Sequence, residues 1–209
     1  MTHITACIPF AREFVYCQFF ISWAKMFAYS YGRYTMALST CHGPYIDNNR
    51  DLLIREAKIM NTDYVLFLDD DQTYPEDTPE RLLAHNKMVV GGVTPRKETC
   101  TPMVWDYIDD KITFWSSLPE PSLSGKSGLT KVNGMGMGGV LISMDVFKQI
   151  EYPYFKIHSS PTYQKHGEDM TFYFKCRDAG IDVWCDTDLQ YGHMSMRELT
   201  LDDPPRKNP

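Results

Sequence analysis

The chain has 209 residues, of which 43% are hydrophobic and 23% charged, proportions that suit one ordinary globular domain and exclude wholesale disorder. A formal net charge of −6 argues against sequence-general binding of nucleic acid, which depends on basic surfaces to replace counterions. The six cysteines form no Cys-x-x-Cys pair and most lie in apolar runs, so we expect buried free thiols in a reducing compartment and a soluble, cytoplasmic protein.

The first half of the chain alternates predicted strands with predicted helices. Residues 14–31 carry one formal charge, Lys25, and their interspersed polar and tyrosine residues indicate a buried core helix with no transmembrane segment. The succession of elements indicates a parallel sheet with helices on both faces, of Rossmann-like type although without a Gly-x-Gly-x-x-Gly motif. In such sheets ligands bind beyond the carboxyl ends of the strands. The predicted elements are, in order, strand 2–8, helix 12–29, strand 34–39, helix 47–60, strand 64–68, a helix starting at 77 and strand 88–93.

The second half has a different composition. A hairpin is predicted, and after it a loop rich in Ser, Pro and Gly. A glycine-rich segment then leads into a strand, which is followed by a helix with Gly180 as its carboxyl-terminal cap and by a last strand. The corresponding residues are 103–107 and 111–115 for the hairpin, 116–128 for the loop, 134–139 and 140–143 for the glycine-rich segment and its strand, 169–179 for the helix and 181–185 for the last strand. The proline-rich residues 204–209 are a tail or a linker.

Three consecutive aspartates, Asp69, Asp70 and Asp71, directly follow the apolar run 64–68. In an extended backbone Asp69 and Asp71 point to the same side. Two carboxylates at the carboxyl end of a strand form an oxygen-rich site that suits Mn²⁺ or Mg²⁺. Three adjacent acids repel one another unless a cation offsets the cost. The structural alternative, a turn that caps the next helix, is less favoured because Asp77 is already placed to do so.

Successive segments resemble the family 2-like group of GT-A fold glycosyltransferases. YVLFLDDDQTYPEDTPERLL resembles the DxD segment, and in chain order GPYIDNNRDLLIREA, VVGGV, NGMGMGGVLISMDVF and GEDMTFYFKCRDAGIDVWCDTDLQYGHM resemble the segments around it. Together they cover most of residues 43–194. The resemblance implies a single α/β domain of GT-A fold with a mixed central sheet over residues 1–203. Its nucleotide-sugar-binding half would be residues 1–95 and its acceptor-binding half residues 96–203.

The resemblance also implies roles for the acidic residues and one histidine. Asp71 would bind a Mn²⁺ or Mg²⁺ ion directly, Asp69 directly or through water, and His193 would complete the metal site. Asp169 would be the general base of an inverting reaction, and Glu168 would position the acceptor. Two alternatives stay open: Asp169 only caps its helix, or the reaction retains configuration and the acidic pair only binds the acceptor.

Further residues correspond to the family's donor contacts. Pro9 and Arg12 follow the first strand, Asp47 and Arg50 lie at the start of the second helix, and Asp70 is a candidate contact to the donor sugar. For the charged residues, an ordinary helix-terminus charge is the alternative. The chain also departs from the family here, with IPFARE where a V-x-x-Y-N type of motif is common. The loop 116–128 is a candidate lid over the donor.

The predicted function is therefore metal-dependent transfer of a sugar from a nucleotide-sugar donor to a hydroxyl of a glycan or other acceptor. A UDP-sugar is favoured because UDP is the commoner nucleotide in the group. The main alternative uses the same triplet, since residues 67–73 also fit the DxDxT motif of haloacid-dehalogenase-like phosphatases, with Asp69 as nucleophile and Asp71 as general acid. That motif normally ends the first strand of its domain, and here two predicted strands precede it. A nucleotidyltransferase and a non-catalytic sugar-binding module are further alternatives.

Overall fold

A computed structural model of the chain describes residues 1–10, 12–97, 99–108, 111–115, 127–157, 167–195 and 198–199. The helices among them are α1 (Cys17–Ser30), α2 (Ile46–Ile59), α3 (Thr78–Ala84), α4 (Val146–Gln149) and α5 (Glu168–Asp178). The strands are β1 (His3–Phe10), β2 (Thr35–His42), β3 (Tyr64–Phe67), β4 (Gln72–Thr73), β5 (Val89–Val93), β6 (Val104–Ile108), β7 (Lys111–Phe114), β8 (Leu129–Val132), β9 (Gly134–Met135), β10 (Val140–Ser143), β11 (Val183–Gln190), β12 (Gly192–Met194) and β13 (Glu198–Leu199).

A mixed sheet of seven strands forms the centre of this α/β fold, in the order β2-β1-β3-β10-β5-β11-β8. β1 runs parallel to β2 and β3, and β5 runs parallel to β11. β10 lies between β3 and β5 and is antiparallel to both. The carboxyl ends of β1, β3 and β5 therefore share one edge of the sheet with the amino end of β10, so this edge collects residues from both halves of the chain.

Alternating residues of the central strands enter two separate hydrophobic clusters, one on each face. In β3, Val65 and Phe67 pack on one face, and Leu66 packs on the other. Helices α1 and α3 cover the Leu66 face, whereas α2, α4 and α5 cover the face of Val65 and Phe67. Burial on both faces explains why the sequence of β3 is continuously apolar instead of alternating.

The observed fold differs from the predicted one mainly in where α1 begins and in which strands lie next to each other around β10. The strands of the first half run in the same direction as predicted, but β3 and β5 are not adjacent, because β10 from the second half is inserted between them. α1 begins at Cys17 and not at residue 12, and Arg12 instead lies in the connection after β1, where it pairs with Asp70 and Asp71. The last predicted strand is longer than expected and spans Val183–Gln190.

Two small sheets flank the central one. The predicted hairpin is confirmed as the antiparallel pair β6 and β7, which β9 extends. The second small sheet has the order β13-β12-β4 and was not predicted, because strands of two or three residues leave no periodic pattern. It joins the segment after β3 to the segment after β11.

Several sequence-based expectations can be compared with the described residues only in part. The predicted loop 116–128 lies outside them at residues 116–126, and the predicted tail or linker 204–209 lies wholly outside them. All six cysteines lie among the described residues and none is in a disulfide bond; four are buried, Cys41 is half-buried and Cys17 is exposed, so the prediction of buried thiols holds for four of them. No helix in the described part of the chain combines the length and the hydrophobicity that crossing a bilayer requires.

Candidate functional site

A cleft of about 260 Å³ lies at the edge of the sheet where β1 and β3 end. The amino-terminal turns of α2 and α5, the glycine-rich segment before β10 and the strand β12 complete it. Among the described residues its lining consists of Pro9, Arg12, Ile46, Arg50, Asp69, Asp70, Asp71, Gln72, Met103, Gly136, Met137, Glu168, Asp169 and His193. The cleft thus contains nine of the ten residues that the sequence singles out.

Asp47 is the predicted residue that the described structure does not bring into the cleft lining. Its carboxylate instead accepts hydrogen bonds from the backbone N–H groups of Asn48 at 2.9 Å and Ile157 at 3.2 Å. It is also not the amino-terminal cap of α2, since the helix begins one residue earlier, at Ile46. This position makes Asp47 a residue that attaches the backbone near Ile157 to α2.

Arg50 links the aspartate triplet to α5. Its guanidinium donates through Nη2 to Asp69 Oδ1 at 2.8 Å and through Nε to Glu168 Oε1 at 3.2 Å. It lies over the ring of Phe67 at 5.1 Å and is buried, and its Nη1 has no hydrogen-bond partner among the described residues. Burial alone lowers the pKa of Arg50, but the charges of Asp69 and Glu168 outweigh it and raise the pKa, so the side chain remains a cation.

The turn after β3 fixes the carboxylate of Asp69. Its Oδ2 accepts a hydrogen bond from Gln72 Nε2 at 3.1 Å, and its backbone N–H donates to Tyr74 Oη at 2.8 Å. Since Oδ1 is held by Arg50, both carboxylate oxygens of Asp69 have protein partners. A methyl group on Gly138 would come within 2.5 Å of the Gln72 amide and 2.7 Å of Asp69 Oδ2, so a larger residue there would have to displace this hydrogen-bonded pair.

Asp71 carries the densest set of cationic contacts in the cleft. Its Oδ2 accepts hydrogen bonds from Arg12 Nη2 at 3.0 Å and from Lys97 Nζ, and Arg12 Nη1 also donates to Asp70 Oδ1 at 3.1 Å. Burial by itself raises the pKa of Asp71, but the hydrogen bonds from His193 and Lys97 outweigh it and hold the pKa well below its ordinary value. Asp71 is therefore a carboxylate across the physiological pH range.

His193 reaches Asp71 through the pairing of two short strands. β12 is antiparallel to β4, with His193 opposite Gln72, and the backbone N–H of Met194 donates to the carbonyl of Asp71 at 2.7 Å. The ring donates from Nδ1 to the carbonyl of Pro95 at 2.7 Å, since a carbonyl can only accept. This leaves Nε2 facing Asp71 Oδ1 at 3.5 Å.

The pair of Asp71 and His193 fits a divalent cation. Because Nδ1 donates to a carbonyl, Nε2 either carries a second proton and donates it to Asp71 Oδ1, or presents its lone pair, and in that second form a cation would take the place of the proton between the two atoms. A backbone carbonyl that fixes the outer nitrogen is also usual for histidines that bind metals.

Asp71 and His193 alone do not make a complete set of protein ligands for a metal ion. Within the described residues no group of three or more His, Cys, Asp or Glu side chains is arranged to hold a metal ion. Asp71 and His193 would thus supply two ligands, and phosphate oxygens and water the others, as is common for Mg²⁺. A metal role for Asp69 remains a prediction, because its oxygens face Arg50 and Gln72.

Glu168 and Asp169 begin helix α5, and this acidic pair lies on the other side of Arg50 from the aspartate triplet. The amino-terminal cap of α5 is Gly167, with no side-chain hydrogen bond, so Asp169 does not cap the helix and lies in its first turn. Asp169 Oδ1 accepts the N–H of Met170 at 2.7 Å. Removal from water, with a smaller contribution from the charge of Glu168, raises the pKa of Asp169. A carboxyl group with a raised pKa is a stronger base once it is ionised.

Sequence reasoning missed two residues that organise the cleft, Lys97 and Gln72. Lys97 follows the carboxyl end of β5, and a basic residue after a strand that ends at the site is the signal that was available. Gln72 directly follows the triplet, but its partner across the small sheet, His193, comes from the far end of the chain. No local pattern could identify that contact.

Comparison with known proteins yields a fold but no family. No family model matches the chain, and no curated protein matches it. The structure is similar to the crystal structure of A197 from STIV, with a TM-score of 0.62 and 16% sequence identity over 100% of this chain and 96% of that chain. At this level of identity the similarity concerns the fold alone, and it supports an α/β arrangement.

Proposed function

We propose that the chain is a metal-dependent glycosyltransferase of GT-A fold that transfers a sugar from a nucleotide-sugar donor, with a UDP-sugar favoured, to a hydroxyl of a glycan or other acceptor. One observation carries the proposal. A single cleft holds the Asp71–His193 pair at one wall and the Glu168–Asp169 pair at another, with Arg50 between them. Sugar transfer with inversion needs these two groups, one beside the leaving diphosphate and one beside the attacking hydroxyl.

The side chains divide the chemistry between them. Asp169 accepts the proton of the acceptor hydroxyl, and the acceptor oxygen forms a bond to the anomeric carbon while the bond from that carbon to the phosphate oxygen breaks with inversion. Glu168, held by Arg50, positions the acceptor. Arg12, which lies after β1, binds the donor phosphates.

A divalent cation, Mn²⁺ or Mg²⁺, bound by Asp71 and His193 would neutralise the charge that develops on the departing diphosphate. The charges of the cleft support this. Five carboxyl groups line the cleft, and four of them form ion pairs with Arg12, Arg50 or Lys97. An excess of carboxylates suits a site that binds a cation before or together with an anionic donor.

The test separates donor binding from transfer. Thermal stability is measured with UDP-, GDP- and ADP-sugars, with and without Mn²⁺, for the wild type, Asp71→Asn and Asp169→Asn. We expect one donor to stabilise the wild type only with Mn²⁺. Asp71→Asn should lose this response. Asp169→Asn should keep it but lose transfer by about a hundredfold or more.

A further variant, Asp69→Asn, decides between this proposal and phosphate hydrolysis. No response to any nucleotide sugar, together with Mg²⁺-dependent hydrolysis of p-nitrophenyl phosphate that Asp69→Asn abolishes, would replace the proposal with the phosphatase alternative. The contacts of Asp69 count against that alternative, because hydrogen bonds from Arg50 and Gln72 engage one lone pair on each carboxylate oxygen and make the carboxylate a weaker nucleophile.

A further inference from the structure

Lys97 contacts Asp71 although it lies outside every segment that resembles a glycosyltransferase. Its Nζ donates to Asp71 Oδ2, the same oxygen that accepts from Arg12 Nη2. Two cations thus share one carboxylate oxygen, while the other oxygen of Asp71 faces His193. The side chains of Lys97 and Arg12 are 33% and 28% exposed, so both retain access to ligands that enter from solvent.

The loop after β5 brings Lys97 and the orientation of His193 together. The N–H of Arg96 donates to the carbonyl of Thr101 at 2.8 Å, and the guanidinium of Arg96 lies 4.4 Å from the centre of the Phe114 ring, so the base of the loop is fixed. Pro95, on the same loop, accepts the Nδ1 proton of His193. The short segment from Pro95 to Lys97 therefore orients one candidate metal ligand, His193, and places the cation of Lys97 on the other, Asp71.

Because of these contacts, a divalent cation or a diphosphate that binds in the cleft alone meets charges of its own sign. A divalent cation at Asp71 must displace Lys97 and Arg12 from Oδ2 or share that carboxylate with them, and it would then lie close to two positive charges without a balancing anion. A diphosphate alone would meet the carboxylates of Asp69, Asp70 and Asp71. Bound together, the cation neutralises the carboxylates and the diphosphate accepts the two released side chains.

We propose that Lys97, together with Arg12, forms a diphosphate-binding site whose two cations are held on Asp71 until metal and diphosphate bind together. The exchange of Lys97 and Arg12 from carboxylate to phosphate makes the two ligands bind cooperatively. This inference rests on the proposed function, because it assigns to the same cleft a metal ion and the diphosphate of a donor. It adds Lys97 to the donor site and predicts that the metal ion and the diphosphate each bind more tightly when the other is present.

The test measures binding and not turnover. Titration calorimetry gives the dissociation constant of Mn²⁺ alone, and that of UDP, GDP or ADP with and without Mn²⁺, for the wild type and Lys97→Met. In Lys97→Met, we expect Mn²⁺ alone to bind about three- to fivefold more tightly, because a competitor for Asp71 is gone. The nucleoside diphosphate with Mn²⁺ should bind about tenfold more weakly, because a charge-assisted hydrogen bond to phosphate is lost.

Opposite changes in the two affinities distinguish this exchange from simple damage to the cleft, which would weaken both. Lys97→Arg keeps a cation at this position and should restore most of the cooperativity. Lys87→Met is the matched control, since Lys87 lies over Trp184 at 4.3 Å, before β5 and therefore at the opposite edge of the sheet. It should leave both affinities unchanged.

The outcomes separate the inference from the proposed function. If the wild type binds a nucleoside diphosphate in a Mn²⁺-dependent manner and Lys97→Met matches it in both affinities, the inference is overturned and the proposed function stands. If Mn²⁺ and the diphosphate bind the wild type independently of each other, the exchange is also overturned. If the wild type binds neither ligand, both the inference and the proposed function fail.

Discussion

Asp51 lies on the buried side of α2, one residue after Arg50, and its carboxylate is used to hold the backbone. Its Oδ1 accepts the N–H groups of Tyr154 at 3.0 Å and Phe155 at 3.1 Å. Burial raises the pKa of Asp51 to about 6, although the two backbone hydrogen bonds oppose the shift. A carboxyl whose pKa is higher in the folded state stabilises the fold most below its unfolded value, and this contribution is lost as the pH rises through about 6.

Asp51→Asn should therefore change how stability depends on pH. An asparagine keeps an oxygen that can accept both N–H groups but cannot ionise. Between pH 4 and pH 8 the free energy of unfolding of Asp51→Asn should rise relative to the wild type by about 2 kcal/mol. Urea unfolding across this range measures the difference. The exposed Asp178→Asn serves as control. Parallel pH profiles for Asp51→Asn and the wild type would contradict the assigned shift.

At the scale of elements, the turn into β10 depends on Gly139. Its φ of +80° lies in the left-handed region, and a Cβ there would come within 2.0 Å of the ring of Tyr191. Tyr191 is buried and donates from Oη to the carbonyl of Gly139 at 2.9 Å, so the ring cannot move away without loss of this bond. The turn thereby fixes the strand that separates β3 from β5.

Gly139→Ala should cost about 2 to 4 kcal/mol of stability, the sum of the backbone penalty and of the overlap with Tyr191. Gly180→Ala offers a matched comparison, because Gly180 also has a positive φ, +71°, but has open space around its Cβ position. It should cost only about 1 kcal/mol. Urea midpoints of the two variants decide the matter: equal losses would mean that contact with Tyr191 adds nothing.

How far the sequence predicts these elements depends on the length of each one. β3 was predicted nearly to the residue because four or five consecutive apolar residues bounded by charged ones are a strong local pattern. β4 and β12 have two and three residues and exist only through strand pairing, β4 with β12 and β12 also with β13. The insertion of β10 was equally unreadable, since a strand's neighbours are set by packing across the whole chain and not by its own residues.

In the candidate site too, the residues with a local sequence pattern were predicted, and the contacts set by packing across the chain were not. The triplet, the acidic pair and His193 were predicted from blocks that resemble a family, and the structure brings them into one cleft. The contacts among them were not predicted. Arg50 was assigned to donor binding, but its hydrogen bonds go to Asp69 and Glu168, and such long-range pairs leave no mark in a single sequence. The chemical roles of these residues remain predictions.

At the scale of the whole molecule, Arg50 joins the two halves of the chain, since α2 precedes the triplet and α5 follows β10. Arg50→Met would leave Asp69 and Glu168 as poorly solvated carboxylates without their cation. We expect a loss of about 3 kcal/mol in the free energy of unfolding. Glu168→Gln removes one of those charges, so the double variant should lose less than the sum of the two single losses.

A thermodynamic cycle of chemical denaturation, with wild type, both single variants and the double variant, measures this coupling. The exposed pair of Lys131 and Asp182, 2.6 Å apart, is the matched control, because exposed ion pairs contribute little. Strictly additive losses for Arg50→Met and Glu168→Gln would show that the contact of 3.2 Å transmits no stability between the halves.

Because a chain leaves the ribosome amino terminus first, the pairing of β4 with β12 also orders the maturation of the cleft. The three aspartates emerge together with Arg12 and Arg50, and Lys97 follows soon after, so their charges are matched early. The acidic pair of α5 and His193 are synthesised last. A nascent or truncated chain that ends before β12 would thus lack His193, while Asp69, Asp70 and Asp71 would already be paired with Arg12, Arg50 and Lys97.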